Sequence, residues 1–349
     1  CKSRKYFITA QDFFKNYFEK YFKGNKDIYD YHWSDEELGD FTYFEGNAQA
    51  FRLLKKLQYT RDEHSINLSF PVLATIMKYP HSSTSGNKKD MGVSYKKFGY
   101  FQSEFESFDV IVNSLGMKIN NKVRRHPLVF LLEAADDIAY SVADIEDGCK
   151  KGLITLEVLK KKMYRYLDSS NPSEYEILST LENINVDPNY PQPLEVIASI
   201  FRIKIQNFMI DASIKAFINN HDKILSGDFD MDLLDLSEAE GLKKAFKELG
   251  EILYNCKEVL KLELTGDKII TVLLEEFTKA ITSPKRSRKG SKEEKLYNLI
   301  SSNYRFLMEK YSDSENKLYN ELRLITDFIC GMTDSYALDL YRSITAINI

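Results

Sequence analysis

Glu133-Ala-Ala-Asp-Asp-Ile-Ala-Tyr-Ser-Val-Ala-Asp-Ile-Glu-Asp147 is the stretch on which the reading of this chain turns. Wound as a helix at about 100° per residue, it sets Leu131, Ala135, Ile138, Val142 and Ile145 in one apolar stripe. Glu133, Asp136, Asp137, Tyr140, Asp144 and Asp147 gather within roughly 100° on the other side. No Lys or Arg interrupts them. A solvated face ordinarily mixes signs, because like charges four residues apart repel. Asp136, Tyr140 and Asp144 run along one line at i, i+4 and i+8. On spacing alone the ordinary explanation comes first: an acidic outer face that pairs with lysines of another helix. The sharper explanation is a divalent cation carrying a phosphorylated substrate.

Working outward, helical periodicity dominates. Ala10–Phe22 carries a broad aromatic face of Phe13, Phe14, Tyr17, Phe18 and Phe22. Asn47–Leu57, Phe70–Tyr79, Ser103–Leu115, Leu128–Cys149 and Thr155–Tyr166 follow as helices. Pro80–Val93 reads as an exposed loop. Pro172, Pro188, Pro191 and Pro193 mark 169–193 as a connection between an N-terminal part, 1–168, and a C-terminal part, 194–349. Helices are expected again over Leu194–Asn220, Ser237–Leu249, Lys257–Thr282, Lys292–Tyr311 and Ser314–Arg342. No internal repeat and no strand series is visible, so the expected class is all-α.

The composition agrees. The 349 residues carry a net charge of −4 with 29% charged residues, which gives no overall basic bias toward nucleic acid. Only 15 Gly and 8 Pro interrupt them, which suits long helices. No apolar run is long enough to span a bilayer, so no membrane association and a cytoplasmic setting are expected. Cys1, Cys149, Cys256 and Cys330 are far apart, which argues against a structural zinc site and a disulfide scaffold.

Familiar catalytic patterns are missing. There is no P-loop, no GxGxxG, no HExxH and no GxSxG. His32, His64, His81, His126 and His221 include no pair at metal spacing. His221-Asp222 is read as a helix C-terminal cap. Phe44-Glu-Gly-Asn-Ala-Gln49 places a carboxylate and two amides around a glycine at the start of a helix, where amides hold sugar hydroxyls or a base edge. Its plainer explanation is an N-cap at Asn47. The basic loop Ser283-Pro-Lys-Arg-Ser-Arg-Lys-Gly-Ser-Lys292 is a solvated linker or, less simply, an anion contact.

Together these segments carry a resemblance. Phe44-Glu-Gly-Asn-Ala-Gln-Ala-Phe-Arg-Leu53, Lys96-Lys-Phe-Gly-Tyr-Phe101, His126-Pro-Leu128, the Glu133–Asp147 block and Asp327-Phe-Ile-Cys-Gly-Met-Thr-Asp-Ser-Tyr-Ala337 occur in that order. The chain resembles bacterial deoxyguanosine triphosphate triphosphohydrolases of the HD-domain superfamily, from about Thr9 to Ala346. The resemblance reverses the ordinary explanation of the acidic helix. It implies an HD-type helical bundle with additional C-terminal helices. It also implies metal-dependent hydrolysis of a deoxynucleoside triphosphate, dGTP first, to deoxynucleoside and inorganic triphosphate. By resemblance Asp136 is a ligand of a divalent ion, Mg or Mn, and Tyr140 and Asp144 meet the substrate's sugar and phosphates. Asn47 is an active-site amide, Lys78 meets the phosphates and Glu263 lies near the base. Tyr254 stacks or gates, and Arg286 aligns with arginines near the phosphates.

The family's HDxGxxPFGHxGE block, with its His ligands and catalytic His and Glu, does not occur in these residues and is expected upstream of residue 1. Without it the chain is expected to be incomplete as a catalyst, since one carboxylate holds a divalent ion poorly. Two other classes stay open at this level. One is an inactive nucleotide-binding regulator. The other is a helical protein that binds single-stranded DNA through the Lys285–Lys292 loop. Homo-oligomers are common in the family and are expected here.

Overall fold

The computed structural model describes residues 2–25, 31–58, 65–183, 193–311 and 316–346. The chain is all-α. Among the described residues sixteen α-helices occur: α1 (Lys2–Asn25), α2 (Asp35–Thr42), α3 (Gly46–Arg52), α4 (Phe70–Ile76), α5 (Phe105–Ser114), α6 (Leu128–Lys150), α7 (Leu156–Tyr166), α8 (Pro172–Asn183), α9 (Pro193–Asn219), α10 (His221–Ser226), α11 (Glu240–Tyr254), α12 (Lys257–Thr282), α13 (Lys292–Leu299), α14 (Ser302–Tyr311), α15 (Lys317–Cys330) and α16 (Asp334–Thr345). One two-stranded hairpin, Lys118–Ile119 against Lys122–Val123, is added to them. Asn120 and Asn121 turn it at positive φ, which asparagine tolerates better than most residues. His64, Pro188 and Pro191 lie outside the described residues.

Contacts divide the chain into two compact units, 126–262 and 2–125 with 263–349. These boundaries differ from the division at 169–193 read from the sequence. Pro172 instead opens α8, at a helix start where its missing N–H costs nothing. Ile177, Leu178 and Leu181 of α8 are buried in the core of unit 126–262.

In unit 126–262, α6 lies along α9, with α7 and α11 packed beside them. Ile138, Val142, Ile145 and Cys149 of α6 meet Phe201, Ile205 and Met209 of α9 and Leu242, Phe246 and Leu249 of α11. The expected apolar stripe holds from Ile138 onward but not before it. Phe130 and Ala134 are buried in place of Leu131, which is half-buried, and Ala135, which is exposed. The first turns of α6 face a separate cluster with Ala216, Ile224, Phe229 and Leu233, and Phe130 sits edge-on to Phe229. A stripe that advances by four residues drifts around the helix, and this second partner follows the drift.

In the other unit, Phe14, Phe18 and Phe22 of α1 pack with Phe41, Phe44 and Phe101 around α15, whose residues Tyr319 and Leu322–Ile329 are buried. Two expected helices are each broken in two. Ile300 and Ser301 separate α13 from α14, and Gly331–Thr333 separate α15 from α16, where the Thr333 side chain accepts from Tyr336 N. The expected loop 80–93 is not uniformly exposed. His81, Ser83 and Gly86 are buried, Ser83 Oγ donates to the Glu36 carbonyl at 3.0 Å, and His81 stacks on Tyr95. Small hydroxyl residues bonded to one another satisfy this segment. Burial lowers the His81 imidazole to about 4, with nearby Lys88 adding to the shift.

Candidate functional site

The acidic face of α6 exists as read. Glu133, Asp136, Asp137, Asp144 and Asp147 are half-buried and Tyr140 is exposed, while the opposite face of the helix fills the core. The structure brings two of the candidate residues together: Tyr254 Oη donates to Asp144 Oδ2 at 2.7 Å. The local reason is Gly148. A Cβ there would stand 2.6 Å from Leu253 Cδ2 and 2.9 Å from Ile154 Cδ1. Glycine therefore lets the last turn of α11 close on α6 one turn beyond Asp144. Apolar spacing alone predicts that this helix ends at Leu249. The helix in fact continues to Tyr254, and that extra turn delivers the phenol.

A lysine does approach the face. Lys243 Nζ of α11 lies 2.6 Å from Asp232 and 2.8 Å from Asp235, and reaches Asp137 only at 3.9 Å. Its charge is held chiefly by the two acids at the closer distances. Glu146, on the flank, is bound by Ser199, Lys150 and Arg202. His221 opens α10 and does not cap the end of α9, and its ring lies 3.4 Å from Asp222. The Asn-Asn-His run breaks the helix one residue before it.

The remaining candidates belong to the other unit. Asn47 stands in the first turn of α3, where Glu45 and not Asn47 is the N-cap. Glu45 is buried, accepts from Asn47 Nδ2 at 2.6 Å and Gln11 Nε2 at 2.7 Å, and pairs with Lys97 at 3.2 Å. Lys78 is half-buried just beyond α4, which stops at Ile76, and its N–H bonds the Ile76 carbonyl. Glu263 is half-buried near the start of α12. Arg286 is tied inward: Nη1 donates to the Ile281 carbonyl at 2.9 Å, Nη2 meets Glu321 Oε1 at 2.8 Å, and the guanidinium lies over Tyr297. In this structure Arg286 holds its loop to α15.

Sequence reasoning missed a buried ionic network in this unit. Arg52 donates Nε to Asp327 at 2.9 Å and Nη2 at 2.7 Å, and also contacts Glu104. Gln49 Nε2 donates to Asp327 at 2.9 Å, and Gln49 Oε1 accepts from Arg323 at 2.9 Å. Arg323 is fully buried, 3.5 Å above the centre of the Phe101 ring. Burial alone would raise the Asp327 carboxyl, but the Arg52 guanidinium outweighs it and the net shift is downward. Asp40 lacks such a partner at bonding distance. Burial raises it to about 7, against the lowering effect of Tyr319 Oη and Gln102 N, which both donate to its Oδ2. A signal was present: Arg323 and Asp327 stand at i, i+4 inside Leu322–Ile329, where only Thr326 among the other residues is polar.

Among the described residues no group of three or more His, Cys, Asp or Glu side chains could hold a metal ion. The acids of α6 are spread along a helix surface, so the described residues alone do not form a cage. None of the described helices is long and apolar enough to cross a membrane.

Similarity to known proteins fits the quoted blocks. Residues 237–343 match the phosphohydrolase-associated domain. A deoxyguanosinetriphosphate triphosphohydrolase-like protein of Listeria monocytogenes is 36% identical over 316 residues, covering 88% of this chain and 66% of the relative. A protein of the same name from Pseudomonas aeruginosa is 29% identical over 325 residues, 89% of this chain and 68% of its own. The deoxyguanosinetriphosphate triphosphohydrolase of Yersinia pestis is 28% identical over 334 residues, 88% of this chain and 64% of its own. The chain thus spans about two thirds of the length of these relatives. On the strength of the motif order, the helical architecture and these matches, it belongs to the deoxyguanosinetriphosphate triphosphohydrolase-like family.

Proposed function

We propose that the protein carrying this chain hydrolyses a deoxynucleoside triphosphate, dGTP in the first instance, to deoxynucleoside and inorganic triphosphate. The observation that supports this reading best is the hydrogen bond by which Tyr254 orients Asp144 on the carboxylate face of α6, at 2.7 Å. A carboxylate fixed by a phenol is a pre-organised acceptor for a sugar hydroxyl. Tyr140, one turn away on the same line, offers a flat ring and a hydroxyl to the sugar. Asp136, a further turn toward the helix start, is proposed as one donor to a divalent ion, Mg or Mn. Its other donors are proposed to come from polypeptide outside the described residues.

Cations must offset the triphosphate's charge as the bond to the α-phosphorus breaks, and Lys78 is proposed among them. Glu263 is proposed at the base, where a carboxylate accepts from guanine N1–H and N2–H, a pair of donors adenine does not present. The test is a product assay on the full-length protein with dGTP and dATP. Inorganic triphosphate is expected as the phosphorus product. Glu263→Ala is expected to lower the dGTP over dATP preference by about tenfold or more, as the loss of a paired hydrogen-bond acceptor would. Pyrophosphate or orthophosphate as the first product would overturn the reaction, and an unchanged preference would remove Glu263 from the base.

A further inference from the structure

The hydrogen bond from Tyr254 to Asp144 has a glycine behind each partner. Gly148 stands one turn beyond Asp144 on α6, and Gly250 one turn before Tyr254 on α11. Gly148 is covered by Leu253 and Ile154. Gly250 has a different neighbour. A Cβ there would stand 3.3 Å from Tyr254 Cε2 and 3.9 Å from Cδ2 and Cζ, and these three nearest atoms all belong to the phenol ring. Helical side chains lean toward the helix start, over the residue four positions back. Tyr254 does so, and its ring lies on the bare backbone at 250.

Glycine is a costly choice at this position. It weakens a helix interior relative to alanine. The backbone does not demand it, since Gly250 is helical and has no positive φ. The demand comes from the ring. Gly250 is buried, although Glu251 and Ile252 beside it are exposed. Tyr254 is the last residue of α11 and is 42% exposed, so burial alone does not fix its side chain. The bare turn lies beneath the ring, and Asp144 Oδ2 lies 2.7 Å from the hydroxyl at its far end. Carbon atoms in ordinary contact stand about 3.5–4.0 Å apart. A methyl group at 250 therefore pushes the ring off its helix, and Oη moves with the ring.

We propose that Gly250 is a positioning residue for the carboxylate of Asp144. By leaving its turn bare it seats the Tyr254 ring so that Oη meets Asp144 Oδ2. The inference rests on Asp144 as the acceptor for a sugar hydroxyl. It carries an opposed pair of signs. Alanine at 250 strengthens α11 as the better helix former, and weakens the reaction.

The experiment is a double-mutant cycle in the full-length protein with dGTP, read as kcat/KM. Gly250→Ala is expected to lower it about threefold and Gly250→Leu about tenfold, chiefly through KM. The unfolding midpoint of Gly250→Ala is expected to be no lower than wild type. In a Tyr254→Phe background, which has no hydroxyl to misplace, each substitution is expected to cost less than about twofold. Equal losses in the two backgrounds, or an undiminished kcat/KM in Gly250→Leu, would overturn the seat. Fluorine NMR of the full-length protein carrying 3-fluorotyrosine separates this inference from the hydrolase reading. The Tyr254 resonance is the one missing from Tyr254→Phe. It is expected to move in Asp144→Asn and in Gly250→Leu, with or without turnover of dGTP. A resonance that Gly250→Leu leaves in place would overturn the seat even in an active enzyme. A resonance that moves in a protein unable to release triphosphate would uphold the seat and overturn the reaction.

Discussion

Two sets of carboxylates in this chain have opposite surroundings. Asp136 and Asp144 stand half-exposed on the surface of α6, with Tyr254 as a neutral neighbour of Asp144. Glu104 and Asp327 are 2–3% exposed and are consumed by Arg52, with Gln49 and Arg323 around them. The α6 carboxylates stay within reach of solvent, where a cation or a hydroxyl can approach them. A buried, fully paired cluster is spent on holding α3 to α15. The Phe44–Leu53 and Asp327–Ala337 blocks therefore carry, in part, a structural message, while the Glu133–Asp147 block is the one proposed to carry the chemistry.

The contrast can be tested where it is strongest. Arg52→Met should remove the cation from two buried carboxylates and destabilise the protein by about 3–5 kcal/mol, because uncompensated buried charges are costly. Chemical denaturation measures this, and a loss below about 1 kcal/mol would mean that the network is not buried as described. No comparable loss is expected from single substitutions on the α6 face.

Asp40 sharpens the comparison, since it is buried without an arginine at bonding distance. Its folded carboxyl is raised to about 7, so its contribution is fully present below the ordinary carboxylate range and is lost as pH rises through 7. Between pH 5 and 8 this loss should be on the order of 2 kcal/mol. Asp40→Asn should abolish that slope, its amide nitrogen taking the place of Oδ1, which has no hydrogen-bond partner. An unchanged slope in denaturation curves taken across that range would assign it to another group.

The smallest effect belongs to the exposed site. Tyr254→Phe removes one hydrogen bond from Asp144 and should lower kcat/KM for a deoxynucleoside triphosphate about tenfold. Stability should change by less than about 0.5 kcal/mol. A larger stability loss with unaltered kinetics would make the pair a structural link.

Much of this was legible in the sequence. The periodicity located α6, α7, α9 and α12 within a residue or two, and the acidic face was visible because like charges gathered without a lysine among them. The breaks at Ile300–Ser301 and Gly331–Thr333 were hidden, because apolar spacing continues across them. The partial burial of 80–93 was hidden because its serines and threonines look solvated until they bond one another. The ionic network was hidden because Arg52 and Asp327 lie 275 residues apart, and nothing local tells a buried charge from a surface one. Tyr254 was picked out by resemblance, but its contact with Asp144 depends on Gly148, which periodicity treats as any small residue.

The most direct measurement of the central claim is phosphorus NMR of dGTP turnover by the full-length protein, wild type beside Asp136→Ala. The expected result is inorganic triphosphate from wild type, a fall of at least about a thousandfold in the variant, and an unfolding midpoint within about 1 °C. Triphosphate release by folded Asp136→Ala at a rate near wild type would contradict the assignment of the α6 face to the reaction.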